Sequence, residues 1–120
     1  MARKILVVDD EPEILEMIES RLTASGYKVC TAKDGIEGIE KLYQFMPDLI
    51  LLDVLMPRVD GFKTLEILRK YQSTVEVPIV MITAKRESGN ILKAQELKAT
   101  DYIVKPFKAE ELLKTIQRYI

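Results

Sequence analysis

The chain has 120 residues, enough for one domain of common size and too few for two. Its 18 basic and 19 acidic side chains leave a formal net charge of -1, which excludes the broad basic footprint of a nucleic-acid-binding protein, and the absence of histidine excludes His-ligated zinc, Ser-His-Asp hydrolysis and histidine general bases. One cysteine, Cys30, cannot bridge internally, no basic and apolar leader is evident, and the longest apolar run, Leu49-Ile50-Leu51-Leu52, falls far short of the roughly 18 residues of a membrane span. A soluble protein of the reducing cytoplasm is expected.

Ile5-Leu6-Val7-Val8 opens the chain as a short apolar strand, and the carboxylates Asp9-Asp10-Glu11 follow it. Glu13 to Ser25 carries Ile14, Leu15, Ile18 and Leu22 on one side and Glu16, Glu19 and Arg21 on the other, a helix with Gly26 as its stop. Lys28-Val29-Cys30-Thr31 is a more polar strand, expected at a sheet edge. Gly35 to Gln44 repeats Ile36, Ile39 and Tyr43 at helical spacing, although Gly38 costs that helix about 1 kcal/mol relative to Ala. Leu49 to Leu52 is the third strand, Phe62 to Tyr71 the third helix, and Ile79-Val80-Met81-Ile82 the fourth strand. Asn90 to Leu97 is the weakest helical pattern; Tyr102-Ile103-Val104 is the last strand and Lys108 to Tyr119 the last helix. Three of the strand runs are apolar throughout, as strands covered on both faces must be. The pattern is (βα)5, a doubly wound α/β domain with a five-stranded parallel sheet spanning residues 1–120.

In such a fold ligands bind beyond the carboxyl ends of the strands. Asp9 and Asp10 follow the first apolar run, Asp53 the third, Thr83 the fourth and Lys105 the fifth. Asp9 and Asp10 can address one site only if the pleat breaks at the strand end, and Glu11-Pro12 marks such a break. Three converging carboxylates would raise at least one pKa unless a cation compensates, and oxygen donors with water suit Mg²⁺. Calcium is disfavoured, because there is no D-x-D-x-D-G loop. Blander readings stand beside these. Asp10 ahead of Pro12 fits a helix N-cap, Thr83 an ordinary strand or cap residue, and Lys105 a solvated strand end.

Together, the ordered segments Ile-Leu-Val-Val-Asp9-Asp10-Glu-Pro, Asp34-Gly35, Pro47-Asp48-Leu-Ile-Leu-Leu-Asp53, Met56-Pro57 with Asp60-Gly61, Ile82-Thr83-Ala84 and Asp101-Tyr102-Ile-Val-Lys105-Pro106-Phe107 resemble the receiver domain of two-component response regulators over the whole chain. The resemblance implies the flavodoxin-like strand order 2-1-3-4-5. It implies that Asp53 accepts a phosphoryl group from the phosphohistidine of a histidine kinase or histidine phosphotransfer protein. Mg²⁺, with Mn²⁺ as a substitute, would be held by Asp10, Asp53 and the Leu55 backbone carbonyl, with Asp9 acting through water. Lys105 and the Thr83 hydroxyl would meet phosphoryl oxygens, the Lys105-Pro106 bond would be cis, and Thr83 and Tyr102 would form the switch. The face of the fourth helix, last strand and last helix would then signal to a downstream protein or to an output domain outside this chain. A phosphorylation-dependent homodimer through that face is compatible with the resemblance; a membrane contact or direct nucleic-acid binding by this domain is not implied. Such a protein is a signalling phosphoacceptor rather than an enzyme.

Three departures stand out. Lys98 occupies a position where glycine is common, at a cost of roughly 1 kcal/mol if the backbone there is left-handed, so an altered loop is expected. Leu55, with Lys85, flanks the path of the water that would hydrolyse the acyl phosphate, and Leu55 cannot orient water, which predicts slow self-dephosphorylation. Arg58 replaces a frequently small residue in its turn. Among rival readings, a flavin binder needs a glycine-rich phosphate loop where Asp9-Asp10-Glu11 would repel phosphate. A Mg²⁺-dependent aspartyl phosphatase needs D-x-D at the first strand and a cap. A receiver-like interaction scaffold would have no use for the full acidic, hydroxyl and lysine set.

Overall fold

The computed structural model describes residues 2–56, 60–84 and 88–120. In chain order they form β1 (Lys4–Val8), α1 (Pro12–Ala24), β2 (Lys28–Ala32), α2 (Gly35–Phe45), β3 (Leu49–Asp53), α3 (Gly61–Leu68), β4 (Ile79–Ala84), α4 (Ser88–Glu96), β5 (Asp101–Lys105) and α5 (Ala109–Gln117). The strands make one parallel sheet in the order β2-β1-β3-β4-β5. The more polar β2 lies at an edge, and the chain is an α/β domain of flavodoxin-like topology.

Strand side chains alternate between two cores. Ile5, Val7, Leu49, Leu51, Val80 and Ile82 pack with Leu15, Ile18 and Leu22 of α1 and Leu112 and Ile116 of α5. Leu6, Val8, Ile50, Leu52, Ile79 and Met81 face the other way, onto Leu42 of α2, Phe62, Leu65 and Leu68 of α3, and Ala94 of α4. Burial on both sides is why these runs read as continuously apolar. Ala94 is the one buried residue of α4 among its described side chains, which accounts for the weak periodicity there.

Helix starts follow local chemistry. Asp34 and Asp60 cap α2 and α3 by accepting from the Glu37 and Lys63 amides at 2.8 and 2.9 Å. Glu11 is the N-cap of α1 with Pro12 next to it, so Asp10 is not the cap. The third helix stops at Leu68, three residues earlier than its apolar spacing suggests, with Arg69 as its C-cap. Lys98 has φ 68°. The Lys98 amide donates to Gln95 O at 3.1 Å and the Ala99 amide to Ala94 O at 2.9 Å, so α4 ends in a left-handed Schellman turn, not an altered loop. Gly26, at φ 96°, ends α1 in the same way.

Candidate functional site

The site lies at the carboxyl ends of β1, β3, β4 and β5. Regular pairing of β1 ends at Val8, which releases Asp9 and Asp10 from strict alternation. Asp9 is wholly buried. Its Oδ1 accepts from the Glu11 amide at 2.9 Å, whereas its Oδ2, also buried, has no hydrogen-bond partner among the described residues. Asp53 is the last residue of β3 and only 4% exposed. Behind it, the Val54 amide donates to Ile82 O at 3.0 Å and the Gly61 amide to Val54 O at 2.9 Å. A Cβ at Gly61 would lie 2.1 Å from Asp53 O, so only glycine lets α3 start against this backbone.

Lys105, at the end of β5, brings its ammonium to 3.4 Å from Asp53 Oδ1, 3.6 Å from Asp9 Oδ2 and 3.4 Å from Glu11 Oε1. One carboxylate oxygen from each of Asp9, Asp10, Glu11 and Asp53 lies within 4.8 Å of the others. The excess of negative charge sets the electrostatics. Burial, followed by the nearby Asp9 carboxylate, pushes Asp53 up to about 7 despite Lys105. Burial likewise raises Asp9 above the ordinary carboxylate value. Burial works to lower the Lys105 pKa, but the Asp53, Asp9 and Glu11 carboxylates outweigh it and hold the ammonium above 10.5.

This donor set suits a hard divalent cation. The oxygens are clustered, their charge exceeds what one lysine offsets, and Asp9 carries an orphaned buried oxygen facing Lys105 across 3.6 Å. Zinc fits poorly, because neither imidazole nor thiolate is present in the cluster.

Of the residues singled out in the sequence, Asp9, Asp10, Asp53 and Lys105 are brought together. Thr83 is buried at the end of β4, and its Oγ1 accepts from Asn90 Nδ2 of α4 at 3.4 Å. Leu55, two residues beyond Asp53, is 60% exposed. Tyr102 pairs with Met81 along the sheet, two positions before the Val104 partner of Thr83, and is 37% exposed. It lies on β5, three residues before Lys105. The Lys105-Pro106 peptide bond is cis. Pro57, Arg58 and Lys85 lie outside the described residues. Two contributors escaped the sequence reading: Glu11, whose side chain reaches Lys105, and Asn90, which meets Thr83 from α4. Glu11 was discoverable as a third consecutive carboxylate; Asn90 left no signal.

This arrangement of acidic pocket, strand-end hydroxyl and lysine on a 2-1-3-4-5 sheet is that of a receiver-type signalling domain. The chain belongs to the response regulator receiver domain family, whose family model matches residues 5–117. It is 43% identical over 109 residues to the probable transcriptional regulator ycf27 of Guillardia theta, covering 91% of this chain and 42% of the relative. It is 38% identical over 114 residues to the DNA-binding dual master transcriptional regulator RpaA of Synechocystis, covering 95% of this chain and 47% of the relative. The chain therefore spans less than half the length of either regulator. Among solved structures, the chemotaxis protein CheY4 of Vibrio cholerae superposes with a TM-score of 0.95 at 36% identity, covering both chains completely. The receiver domain of the sensor histidine kinase PA1611 of Pseudomonas aeruginosa, solved with a magnesium ion coordinated in its active site cleft, gives 0.90 at 32% identity over 99% of this chain and 98% of that one. Receiver domains of two-component systems are signalling proteins and not enzymes in the ordinary sense. No helix among the described residues is long and apolar enough to cross a membrane.

Proposed function

We propose that this domain is a phosphorylation-switched receiver in which Asp53 accepts a phosphoryl group from the phosphohistidine of a histidine kinase or histidine phosphotransfer protein in the cytoplasm. The observation that carries the reading is the Lys105 ammonium set 3.4 Å from Asp53 Oδ1 beside the orphaned Asp9 Oδ2. An Asp53 oxygen attacks phosphorus, the P–N bond breaks, and the imidazole departs with its electron pair. Lys105, beside Asp53, would meet a phosphoryl oxygen, and the Thr83 hydroxyl, on turning from Asn90, another. Asp10, Asp53 and the Leu55 carbonyl would hold Mg²⁺, or Mn²⁺ in its place, with Asp9 acting through water. Bound there, the cation offsets the charge of the phosphoryl oxygens and the attacking carboxylate.

Departure of Thr83 from Asn90 would loosen α4, whose described residues bury little, and Tyr102 would take up the space beside it. The signal is then read on the α4-β5-α5 face by a downstream protein or by an output domain of a longer chain, in keeping with the partial coverage of the two regulators. A receiver-like scaffold that is never phosphorylated would not need four converging carboxylates, two of them buried at a desolvation cost.

The deciding experiment is intact mass after incubation with Mg²⁺ and a small acyl phosphate. One added phosphoryl group, lost in Asp53→Asn and with a chelator, is the expected result. An unmodified wild type, with this donor and with a panel of histidine kinases, would favour the scaffold.

A further inference from the structure

Glu11 is the one member of the acidic cluster to which the phosphoacceptor reading gives no work. As the N-cap of α1 it makes no side-chain capping bond, so its carboxylate is not spent on the helix. Instead it extends over the pocket to Lys105, Oε1 lying 3.4 Å from Nζ in both an ion pair and a hydrogen bond. Its side chain is 58% exposed, while that of Lys105 is 22% exposed and those of Asp9 and Asp53 are 0% and 6%. Glu11 therefore stands on the rim, and Asp9 and Asp53 on the floor. The amide of Glu11 is tied to Asp9 Oδ1 at 2.9 Å, which fixes where that rim carboxylate starts.

An ammonium shared between floor and rim is not free for an incoming phosphoryl group. Glu11 shares the carboxylate cluster with Asp9, Asp10 and Asp53, and its ion-pair partner among the described residues is Lys105. We propose that Glu11 is a positioning residue that competes with the phosphodonor for Lys105, holding the ammonium at the rim and weakening the site's grip on small anionic donors. The inference rests on Asp53 being the acceptor. A competing contact of this kind acts on capture of the donor, because Lys105 must leave Glu11 when the phosphoryl group arrives. It leaves the chemistry within the captured complex unchanged.

The test is the dependence of Asp53 phosphorylation rate on acyl phosphate concentration, at fixed saturating Mg²⁺, in wild type, Glu11→Gln and Glu11→Asp, with Mg²⁺ affinity measured separately by calorimetry. Glu11→Gln is expected to lower the half-saturating donor concentration about two- to five-fold, the scale of a partly exposed ion pair, with the maximal rate unchanged. Added salt should shrink that difference. Glu11→Asp keeps the charge but is one methylene too short for the 3.4 Å contact, and should behave like Glu11→Gln. If Glu11→Asp instead matches wild type, rim charge and not the contact with Lys105 is responsible, and the proposal fails. It fails equally if all three curves coincide, or if Glu11→Gln weakens Mg²⁺ binding several-fold, which would make Glu11 a metal-holding residue. A wild type that takes up no phosphoryl group would sink the acceptor reading and this one together, an outcome distinct from modified proteins with coincident curves.

Discussion

Arg69 donates its Nε to the carbonyl of Lys98 at 2.9 Å, tying the end of α3 to the left-handed turn that closes α4. The same guanidinium donates from Nη1 to the carbonyls of Thr74 and Val77 at 3.0 and 2.8 Å, and from Nη2 to Thr100 Oγ1 at 3.2 Å. Five donors in a fixed plane let one side chain bind the segment before β4 and the segment before β5 together, which a lysine could not do. The amino-terminal end of α4 meets the site through Asn90 and Thr83, while its carboxyl end is pinned by Arg69.

Replacing the pin should be costly. Arg69→Lys is expected to lose about 2 kcal/mol of stability, because several carbonyls are left without their charged donor and one ammonium cannot reach both segments. A urea unfolding curve measures this, and an unchanged midpoint would show that the network is ornamental.

Lys98 should respond in the opposite sense. At φ 68° its Cβ is crowded by the following carbonyl, and glycine relieves that strain at the cost of a more flexible unfolded chain. The net expectation for Lys98→Gly is a gain of up to about 1 kcal/mol, read as a higher urea midpoint. The Arg69 bond survives, because it uses the Lys98 backbone carbonyl.

Gly61 tests how tightly the acceptor is seated. An alanine Cβ would meet Asp53 O at 2.1 Å and the Val54 Cα at 2.8 Å, both backbone, so α3 or the end of β3 must move. Gly61→Ala is expected to cost about 1–3 kcal/mol in stability as an overpacked site. In the proposed reaction it should slow Asp53 phosphorylation about 100-fold, the penalty of displacing a reacting group by around 1 Å. Unfolding and phosphorylation assays on the same preparation separate the two effects.

Much of this was legible in the sequence, and the reasons are physical. Strands buried on both faces must be apolar throughout, so Ile5–Val8, Leu49–Leu52 and Ile79–Ile82 declared themselves, and a parallel sheet then puts the residues that follow them at one rim. Asp9, Asp10, Asp53 and Lys105 were found by that rule. Side-chain reach was not legible: nothing in the spacing distinguishes Glu11 as a solvated acid from Glu11 laid across Lys105. Nor does composition reveal that Lys98 takes a left-handed conformation, with its carbonyl bound by Arg69, 29 residues away.

Acidity of the pocket sets a pH dependence with a definite sign. Asp53 is raised from 3.8 to about 7 in the folded protein, so between those values the folded state binds more protons than the unfolded chain. Stability of the metal-free protein should therefore be highest near pH 4 as far as this group is concerned, and should fall as pH rises toward 7; Asp9, raised by burial, acts in the same direction. Asp53→Asn removes the ionising group and is expected to flatten the decline and to be the more stable protein at neutral pH. Mg²⁺ should restore the wild type there and have much less effect on the variant. Thermal unfolding between pH 4 and 8, with Mg²⁺ and with chelator, checks all of these; a metal-free wild type that gains stability across that range would contradict the pocket electrostatics.

In the proposed reaction, the lifetime of the phosphorylated state should turn on Leu55. It lies two residues past Asp53 and is 60% exposed, and in the proposed reaction its aliphatic side chain would flank the path of the water that attacks the acyl phosphate. Leucine has neither donor nor acceptor to orient that water and leaves attack to chance encounters. An amide there can hold water through one hydrogen bond, an interaction on the order of 1 kcal/mol, which corresponds to several-fold in rate. Leu55→Asn is accordingly expected to shorten the phosphoryl half-life several-fold, followed by loss of the phosphorylated mass after removal of the donor, while the rate of phosphoryl uptake changes little. Because the side chain is largely in solvent, the substitution should leave stability within about 0.5 kcal/mol of wild type, so a faster decay cannot be blamed on a loosened fold. An unchanged half-life would mean that water reaches the acyl phosphate by a path that Leu55 does not border.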